Sequence, residues 1–291
     1  MPRGDDWNTV CITTHVGPPT ERNGPGRYGV GASSPFQGRV QAMDRLQLGT
    51  VGAIAFIFFY VCYVTYYFCG KLVEVLHTRV AYTRKLMHVV TFVLPWTLQQ
   101  AFGLQSNLRI AVLASFLVPL HLLIFLEPIR RRSKYVATMF RGFERPEDRP
   151  YTLWWMITQF AATYAVYAAL YGAMIYRNIT GWMIIPLLVM AIGDGLAEPV
   201  GVRFGKHPYT TTALNGKQSY RRTWEGSACV FITGLIVIAA CYHWFTPRQL
   251  LAAILIVPIS GTVLEAKAPH TWDQPVMLLG MGIELLAISY L

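Results

Sequence analysis

The chain has 291 residues, of which 54% are hydrophobic and only 14% are charged. Soluble domains carry about 25% charged residues, so this composition excludes an ordinary soluble domain and indicates a chain that folds in lipid. The formal net charge of +10 raises nucleic-acid binding as an alternative, but the basic residues lie in short connectors between apolar runs, so we expect no nucleic-acid partner.

Residues 1–45 differ in kind from the rest of the chain. They are rich in proline and glycine and show no apolar periodicity. Such a segment buries too little surface to offset the entropy that is lost when it orders. We therefore predict a disordered N-terminal tail, with a transit peptide as the alternative, and a single polytopic membrane domain over residues 46–291.

The membrane domain contains apolar runs of the length that crosses a bilayer. A hydrocarbon core of about 30 Å requires roughly 20 apolar residues in a helix. We predict about eight transmembrane helices, at residues 46–69, 86–102, 109–126, 151–176, 181–199, 226–244, 250–264 and 275–291. The seventh run is short for a span. The predicted fold class is an all-α, polytopic membrane helix bundle.

The charged connectors predict the orientation of this bundle. Most of the Lys and Arg residues that lie between spans are in connectors 1–2, 3–4, 5–6 and 7–8, whereas the alternate connectors contain only Arg109, Arg177 and Arg248. Basic connectors stay on the cytoplasmic side of a membrane, so we expect the first set to face the cytoplasm. The endoplasmic reticulum, a plastid and a bacterial inner membrane all suit this topology.

The connector between the fifth and sixth spans carries the densest group of polar residues. Asp194 and Glu198 lie four residues apart and therefore on one face of a helix end. Ionisable residues at the edge of a membrane span are functional hypotheses by default. Glycines, which allow close approach of the backbone to a ligand, and basic residues follow, and an acidic residue opens the next span: Gly193, Gly195, Gly201, Arg203, Gly205, Lys206, Lys217, Arg221, Arg222, Glu225 and Gly226.

Carboxylates, cations and glycines in this arrangement are typical of a site for metal-bound nucleotide phosphates. The segments Gly205-Lys206-His207 and Gly216-Lys217-Gln218 lack the glycine spacing and the Ser or Thr of a Walker A loop. The alternative is an ordinary basic connector with glycines at its helix ends.

Four ordered elements resemble the membrane family of CTP-dependent lipid-alcohol kinases, which contains dolichol kinase, phytol kinase and CTP-dependent diacylglycerol kinase. Residues 84–88, with Arg84, Lys85 and His88, look like its R-K-x-x-H element. Asp194 and Ala197 match its G-D-x-x-A element. The K-S-x-E-G-like element is matched, with conservative changes, by Arg222, Thr223, Glu225 and Gly226.

The closing element of that family, E…D-N-x-x-[VIL]-P, is matched only in part. Glu265 is followed by Asp273-Gln274-Pro275, so Gln274 stands where the family has Asn, and the intervening APHTW is unusual. The resemblance covers about residues 80–285, nearly the whole predicted membrane domain.

The resemblance implies transfer of the γ-phosphoryl group of CTP to the hydroxyl of a membrane lipid alcohol, such as a polyprenol, dolichol, phytol or diacylglycerol. It implies Mg²⁺ as the cofactor, held by Asp194 with Glu198, Glu225 or Asp273 as further ligands. The residues expected to bind the nucleotide are Arg84, Lys85, Gly201, Arg203, Gly205, Lys206, Lys217, Arg222 and Gly226.

The predicted catalytic set contains Asp194, His88, Glu225 and Asp273. His88 is a candidate proton acceptor for the lipid hydroxyl because imidazole titrates near neutrality, and the alternative is a hydrogen-bonded structural histidine with Asp194 or Asp273 as the base. Glu284 lies in the middle of the eighth span, where a charge is costly. We expect Glu284 to face inward and to be neutral or paired.

Two other functions remain open from the sequence. A phosphatidate cytidylyltransferase also uses CTP in a membrane and has a related acidic and glycine-rich connector, but its terminal K-D…H-G-G-x-x-D-R-like element is missing here. A non-catalytic transporter or scaffold with a charged vestibule is the second alternative, and it would turn over no nucleotide.

Overall fold

The computed structural model describes residues 35–104, 108–214, 216, 219–269 and 271–291. The chain divides into two units, residues 1–43 and 44–291. The described part of the first unit is the start of helix α1 (Pro35–Leu76), which begins inside the segment that the sequence predicts as a tail. Residues 1–34 lie outside the described residues, so disorder there stays a prediction.

The second unit is a helix bundle, which confirms the predicted fold class. Each of the eight predicted spans overlaps a long helix or, for the fifth, the run formed by α7 and α8. After α1 the described helices are α2 (Val80–Ala101), α3 (Leu108–His121), α4 (Glu127–Arg132), α5 (Lys134–Arg141), α6 (Thr152–Tyr176), α7 (Ile184–Leu188), α8 (Gly195–Phe204), α9 (Trp224–Ala240), α10 (Pro247–Lys267) and α11 (Asp273–Ile288).

The predicted number of about eight membrane crossings is not confirmed. Four helical runs among the described residues are long and apolar enough to cross a membrane, namely Leu48–Leu76, Leu108–Phe125, Thr180–Phe204 and Pro247–Lys267. Helix α2 is 22 residues long but carries Arg84, Lys85 and His88, and α11 has only 16 residues. The seventh run, which looked short in the sequence, belongs to a helix of 21 residues.

The apolar side chains divide between a packed interior and a lipid-facing surface. Met190, Val230 and Met281 are fully enclosed between α9, α11 and the run that contains α7 and α8. On α1, by contrast, Phe56, Tyr60, Val64 and Phe68 recur every four residues and are exposed. An apolar stripe of this length on the outside of a bundle suits contact with lipid chains.

The helix that carries Asp194 is widened just before that residue. Between α7 and α8 the backbone is π-helical over Val189–Asp194, a form that is found often at functional sites. Gly193 lies in this segment because a Cβ there would sit 3.0 Å from Cα of Val230 on α9. The π-helical segment and the close contact with α9 together fix the position of Asp194 in the interior.

A short antiparallel hairpin connects α8 to α9, which the all-α prediction did not include. Strand β1 (Pro208–Thr212) pairs with β2 (Ser219–Thr223), and Tyr209 is opposite Arg222. Threonine and tyrosine favour strands, but two strands alone are marginally stable. The hairpin is held on α9 by a 2.6 Å hydrogen bond between the Tyr209 hydroxyl and the Ser227 hydroxyl.

Candidate active site

A cavity of about 720 Å³, here called the polar cavity, opens where the hairpin meets the ends of α2, α8, α9, α10 and α11. Residues that are far apart in the sequence share its wall, and they come from the connectors that the charge pattern places on one side. Most of the predicted site residues line it: Arg84, Lys85, Asp194, Glu198, Gly201, Gly205, Lys206, Arg222, Gly226 and Asp273.

A buried ion pair lies at the inner end of the polar cavity. Lys85 Nζ donates to Asp194 Oδ1 at 2.8 Å, and the two side chains are 7% and 3% exposed. Asp194 Oδ2 is buried and lies 3.5 Å from His88 Nε2, but it makes no hydrogen bond among the described residues. Because Lys85 compensates only one carboxylate oxygen, the other is available to a cation or to a hydrogen-bond donor.

Glu198 joins three parts of the chain at the same cavity. Its carboxylate accepts from Arg84 Nη2 at 3.2 Å and from Arg145 Nη2 at 2.7 Å. Arg145 also lines the polar cavity, but it was not predicted as a site residue because it lies in the long basic connector before α6 without any motif. The charge of Glu198 is thus compensated by two arginines.

Arg222 ties the hairpin to the end of α10. Its Nη1 atom lies 3.1 Å from Glu265 Oε1, and its Nη2 atom donates to the Glu265 carbonyl oxygen at 3.4 Å. Burial opposes the charge of Arg222 and is the largest single effect, but the Glu265, Asp273 and Asp194 carboxylates together outweigh it and raise the pKa of the guanidinium. Arg222 therefore faces the polar cavity as a permanent, positioned cation.

The imidazole of His88 has both ring nitrogens engaged. Nε2 faces the carbonyl oxygen of Met190 at 2.9 Å, and Nδ1 lies 2.7 Å from Nε2 of Gln274. A carbonyl oxygen can only accept and an amide nitrogen can only donate, so the proton of neutral His88 is on Nε2. This arrangement leaves no free lone pair for the predicted role of proton acceptor.

Asp273 lies at the start of α11 with one oxygen fixed. Its Oδ1 atom accepts from Gln159 Nε2 at 2.8 Å and from the backbone N–H of Gln274 at 3.1 Å. Gln159 carries no motif and was not among the predicted site residues, and Gln274 stood out in the sequence only as a departure from the family pattern. These amides hold Asp273 and His88 in place beside Asp194.

Three predicted site residues lie elsewhere, and a fourth cannot be placed. Arg203 is exposed, with its guanidinium 5.6 Å from the ring of Phe204, and His88 lines a neighbouring narrow cavity. Glu225 accepts from its own backbone N–H, from the His207 ring and from the backbone N–H groups of Lys206 and His207, which lowers its pKa to about 2. Lys217 lies outside the described residues.

The predicted metal ligands are not assembled as a cluster. Within the described ranges no group of three or more His, Cys, Asp or Glu side chains is placed to hold a metal ion. Asp194, Glu198, Glu225 and Asp273 each accept hydrogen bonds from a different partner. Mg²⁺ is commonly held by one or two carboxylates together with phosphate oxygens and water, and the unpartnered Asp194 Oδ2 fits that mode.

The curated proteins with similar sequences are named as phytol kinases or probable phytol kinases. A phytol kinase of Synechocystis sp. is 31% identical over 113 residues, which are 37% of this chain and 44% of that protein. A probable chloroplastic phytol kinase of Zea mays is 26% identical over 192 residues, 63% of this chain and 58% of that protein. A probable chloroplastic phytol kinase of Glycine max is 24% identical over 192 residues, with shares of 63% and 56%.

The matched region spans about half the length of these relatives. No protein-family profile matches the chain, and no solved structure matches it. The chain is thus similar over part of its length to curated phytol kinases, which confirms the resemblance to lipid-alcohol kinases that its motifs carry.

Proposed function

We propose that the chain phosphorylates the hydroxyl of a membrane lipid alcohol, with CTP as the phosphoryl donor, at the polar cavity. The observation that carries this proposal is the wall of that cavity, where cations from distant connectors surround the buried carboxylate of Asp194. The name of the relatives supports a kinase with a lipid-alcohol acceptor. The choice of CTP rests on the resemblance of the motifs.

The polar cavity has the charges that a nucleoside triphosphate requires. Lys206, Arg221 and Arg222, on or beside the hairpin, line its wall together with Arg84 and Arg145, which come from α2 and from the connector before α6. Phosphoryl transfer asks an enzyme mainly for positioning and for neutralisation of charge on the phosphate oxygens. Mg²⁺, held by Asp194 Oδ2 and by phosphate oxygens, would supply part of that neutralisation.

Asp273 is the residue that we assign to accept the proton. It lines both the polar cavity and the narrow cavity beneath it, and the described hydrogen bonds to its side chain reach only Oδ1. The lipid oxygen forms the new bond to the γ-phosphorus while the bond from that phosphorus to the β–γ bridging oxygen breaks. CDP leaves with the electron pair, and the hydroxyl proton passes to Asp273 Oδ2.

The membrane side of the reaction is part of the proposal. The polar cavity is formed by the ends of helices that the basic connectors join, and basic connectors remain on the cytoplasmic side. A lipid acceptor keeps its chain in the bilayer, so its hydroxyl reaches this surface from within the bundle. We therefore place the reaction at the cytoplasmic face of the membrane.

The test uses the purified chain in lipid nanodiscs with γ-labelled CTP or ATP and a panel of lipid alcohols. Asp194→Asn is expected to lower labelling of the lipid by about 10²–10³-fold, as loss of a positioned charge commonly does. Glu127→Gln is the matched control because Glu127 pairs with Arg131 at an exposed site outside the cavity. No labelled lipid with any acceptor would refute the proposal, and a CDP-lipid formed from α-labelled CTP would point to a cytidylyltransferase.

A further inference from the structure

A narrow cavity of about 70 Å³ lies next to the polar cavity, and the two share Arg84, Lys85, Asp194, Thr271 and Asp273. Among the described residues few buried side-chain nitrogen or oxygen atoms have no hydrogen-bond partner. Most of them belong to residues that line this narrow cavity: Arg84 Nε, Thr152 Oγ1, Asp194 Oδ2, Thr271 Oγ1 and Gln274 Oε1.

This concentration of unpartnered polar atoms indicates a binding site for a small polar group. A buried acceptor without a donor costs free energy, so native structures rarely leave one without a reason. Gln274 Oε1 is such an acceptor, since its amide nitrogen is used by His88. A water molecule takes about 30 Å³ of liquid volume, so the narrow cavity has room for a group of the size of a hydroxymethyl.

A third cavity, the apolar cavity, has a volume of about 190 Å³ and is enclosed mainly by α1, α2, α3 and α6. Its wall is almost entirely hydrocarbon and aromatic, with Phe58, Phe92, Ala114, Leu117 and Tyr164 among its residues. Leu113 and Trp96 also line it and are partly exposed on the outside of the bundle. A hydrocarbon can therefore extend from this cavity into the surrounding lipid.

The narrow and apolar cavities follow one another along the same helices. On α2, His88 and Thr91 line the narrow cavity and Phe92 lines the apolar cavity. On α6, Phe160 belongs to the first and Thr163 to the second. With a rise of about 1.5 Å per residue, the two cavities are about one helical turn apart. The order of the cavities, from polar to narrow to apolar, matches a molecule with one hydroxyl at the end of a hydrocarbon chain.

We infer that the acceptor alcohol binds along this axis, with its hydroxyl in the narrow cavity on Gln274 Oε1 and its chain in the apolar cavity between α1, α2, α3 and α6. This inference rests on the proposed function. The hydroxyl has one proton, which it donates to Gln274 Oε1 while the alcohol is held at the boundary with the polar cavity and passes to Asp273 Oδ2, on the preceding residue, when its oxygen attacks. A substitution that fills the apolar cavity should therefore change which chain lengths the site accepts without any change to the phosphate site.

Ala114→Phe tests the chain site because it places a ring in the apolar cavity. Val112→Phe is the matched control, since Val112 is exposed on the same helix and is not part of the cavity wall. Phosphorylation of prenol and of phytol is measured for the wild type and both variants. A114F is expected to lower the ratio of kcat/KM for phytol to that for prenol by about tenfold or more, which corresponds to about 1.4 kcal/mol, and V112F to leave it unchanged.

The outcomes separate this inference from the proposed function. A wild type that phosphorylates no alcohol refutes the proposed function itself. If the wild type is active, the chain site is refuted when A114F uses prenol and phytol in the wild-type ratio, whether both rates are normal or both are lowered.

The hydroxyl site has its own test at Gln274. Gln274→Leu removes the acceptor, so kcat/KM should fall about tenfold or more for prenol and phytol alike. Gln274→Asn keeps an amide and should recover part of the rate for both alcohols. Wild-type rates in Q274L, or a loss in Q274L that is confined to phytol, would overturn the assignment of Gln274.

Discussion

The buried pair Lys85–Asp194 predicts a large and specific loss of stability when only one partner is removed. Lys85→Met keeps the length and apolar body of the side chain but leaves the Asp194 carboxylate, which is 3% exposed, without its cation. Removing one partner of a buried ion pair costs about 3–5 kcal/mol because an uncompensated charge stays in a medium of low dielectric constant. We expect the free energy of unfolding to fall by that amount.

The matched control and the rescue follow from the same reasoning. Lys71→Met breaks a pair of similar length, 2.9 Å to Glu74, but Lys71 is 45% exposed, so water screens its charge and the change should be small. The double variant K85M/D194N contains no buried charge at this pair. It should therefore be more stable than K85M alone.

Unfolding by chemical denaturation in detergent micelles, followed by tryptophan fluorescence, measures these differences. Unfolding of K85M at the same denaturant concentration as K71M would contradict the predicted loss of stability. The prediction would be contradicted equally if K85M/D194N were no more stable than K85M.

Three further predictions concern single residues. Arg222→Met should lower kcat/KM for CTP about tenfold or more because a charge-assisted phosphate contact is lost. Arg203→Met, at an exposed site, should change kcat/KM less than about twofold. Equal losses in the two variants would contradict the placement of Arg222 at the phosphate site. Gly70→Ala should destabilise the bundle by about 1–3 kcal/mol, since its Cβ would lie 1.9 Å from a backbone oxygen of α5. Gly49→Ala, in the same helix with open space around it, should not lower the melting temperature, because alanine favours a helix. The pKa of Glu225 is lowered from 4.5 to about 2, so the stability that this residue contributes is fully present above pH 4.5 and is lost as the pH falls towards 2. The difference in melting temperature between wild type and Glu225→Gln should therefore be constant near neutral pH and shrink in acid. A difference that grows in acid would contradict this prediction.

The positions of the helices follow from the sequence because apolar runs of span length are a strong and local signal. The meeting of Arg84, Asp194 and Arg222 in one cavity was also predictable, since the distribution of basic residues sorts the connectors by side before any packing is known. The number of crossings was not, because α2 combines the length of a span with charged residues that hydropathy alone cannot place.

The partners within the site depend on the rotation of helices about their axes, which a single sequence does not encode. Lys85 pairs with Asp194, which is 109 positions away in the sequence. Gln159 donates a hydrogen bond to Asp273, which is 114 positions away. Neutral amides carry no charge pattern, so Gln159 gave no signal. Glu284 shows the same limit: its carboxylate is 2.5 Å from the Ser260 hydroxyl on α10, a partner that the sequence could not name.

Arg203 and Arg222 lie in the same connector, but their side chains occupy different environments in the structure. Arg203 lies in the last turn of α8 and is exposed, whereas Arg222 lies on β2 and contacts Glu265. The hairpin decides which side chains of the connector turn inward. Its strands were hidden in a segment that glycines and charges mark as irregular.

Protection of lysine side chains by nucleotide tests most directly whether the polar cavity holds the triphosphate. Lys206 lines that cavity, and Lys134 is an exposed lysine on α5 that does not. Both are acylated with a lysine-selective reagent in the presence and absence of CTP and Mg²⁺ and quantified by mass spectrometry. We predict that CTP slows labelling of Lys206 about tenfold when the site is saturated and leaves Lys134 unchanged. Unchanged labelling of Lys206 at CTP concentrations that support turnover would contradict the account.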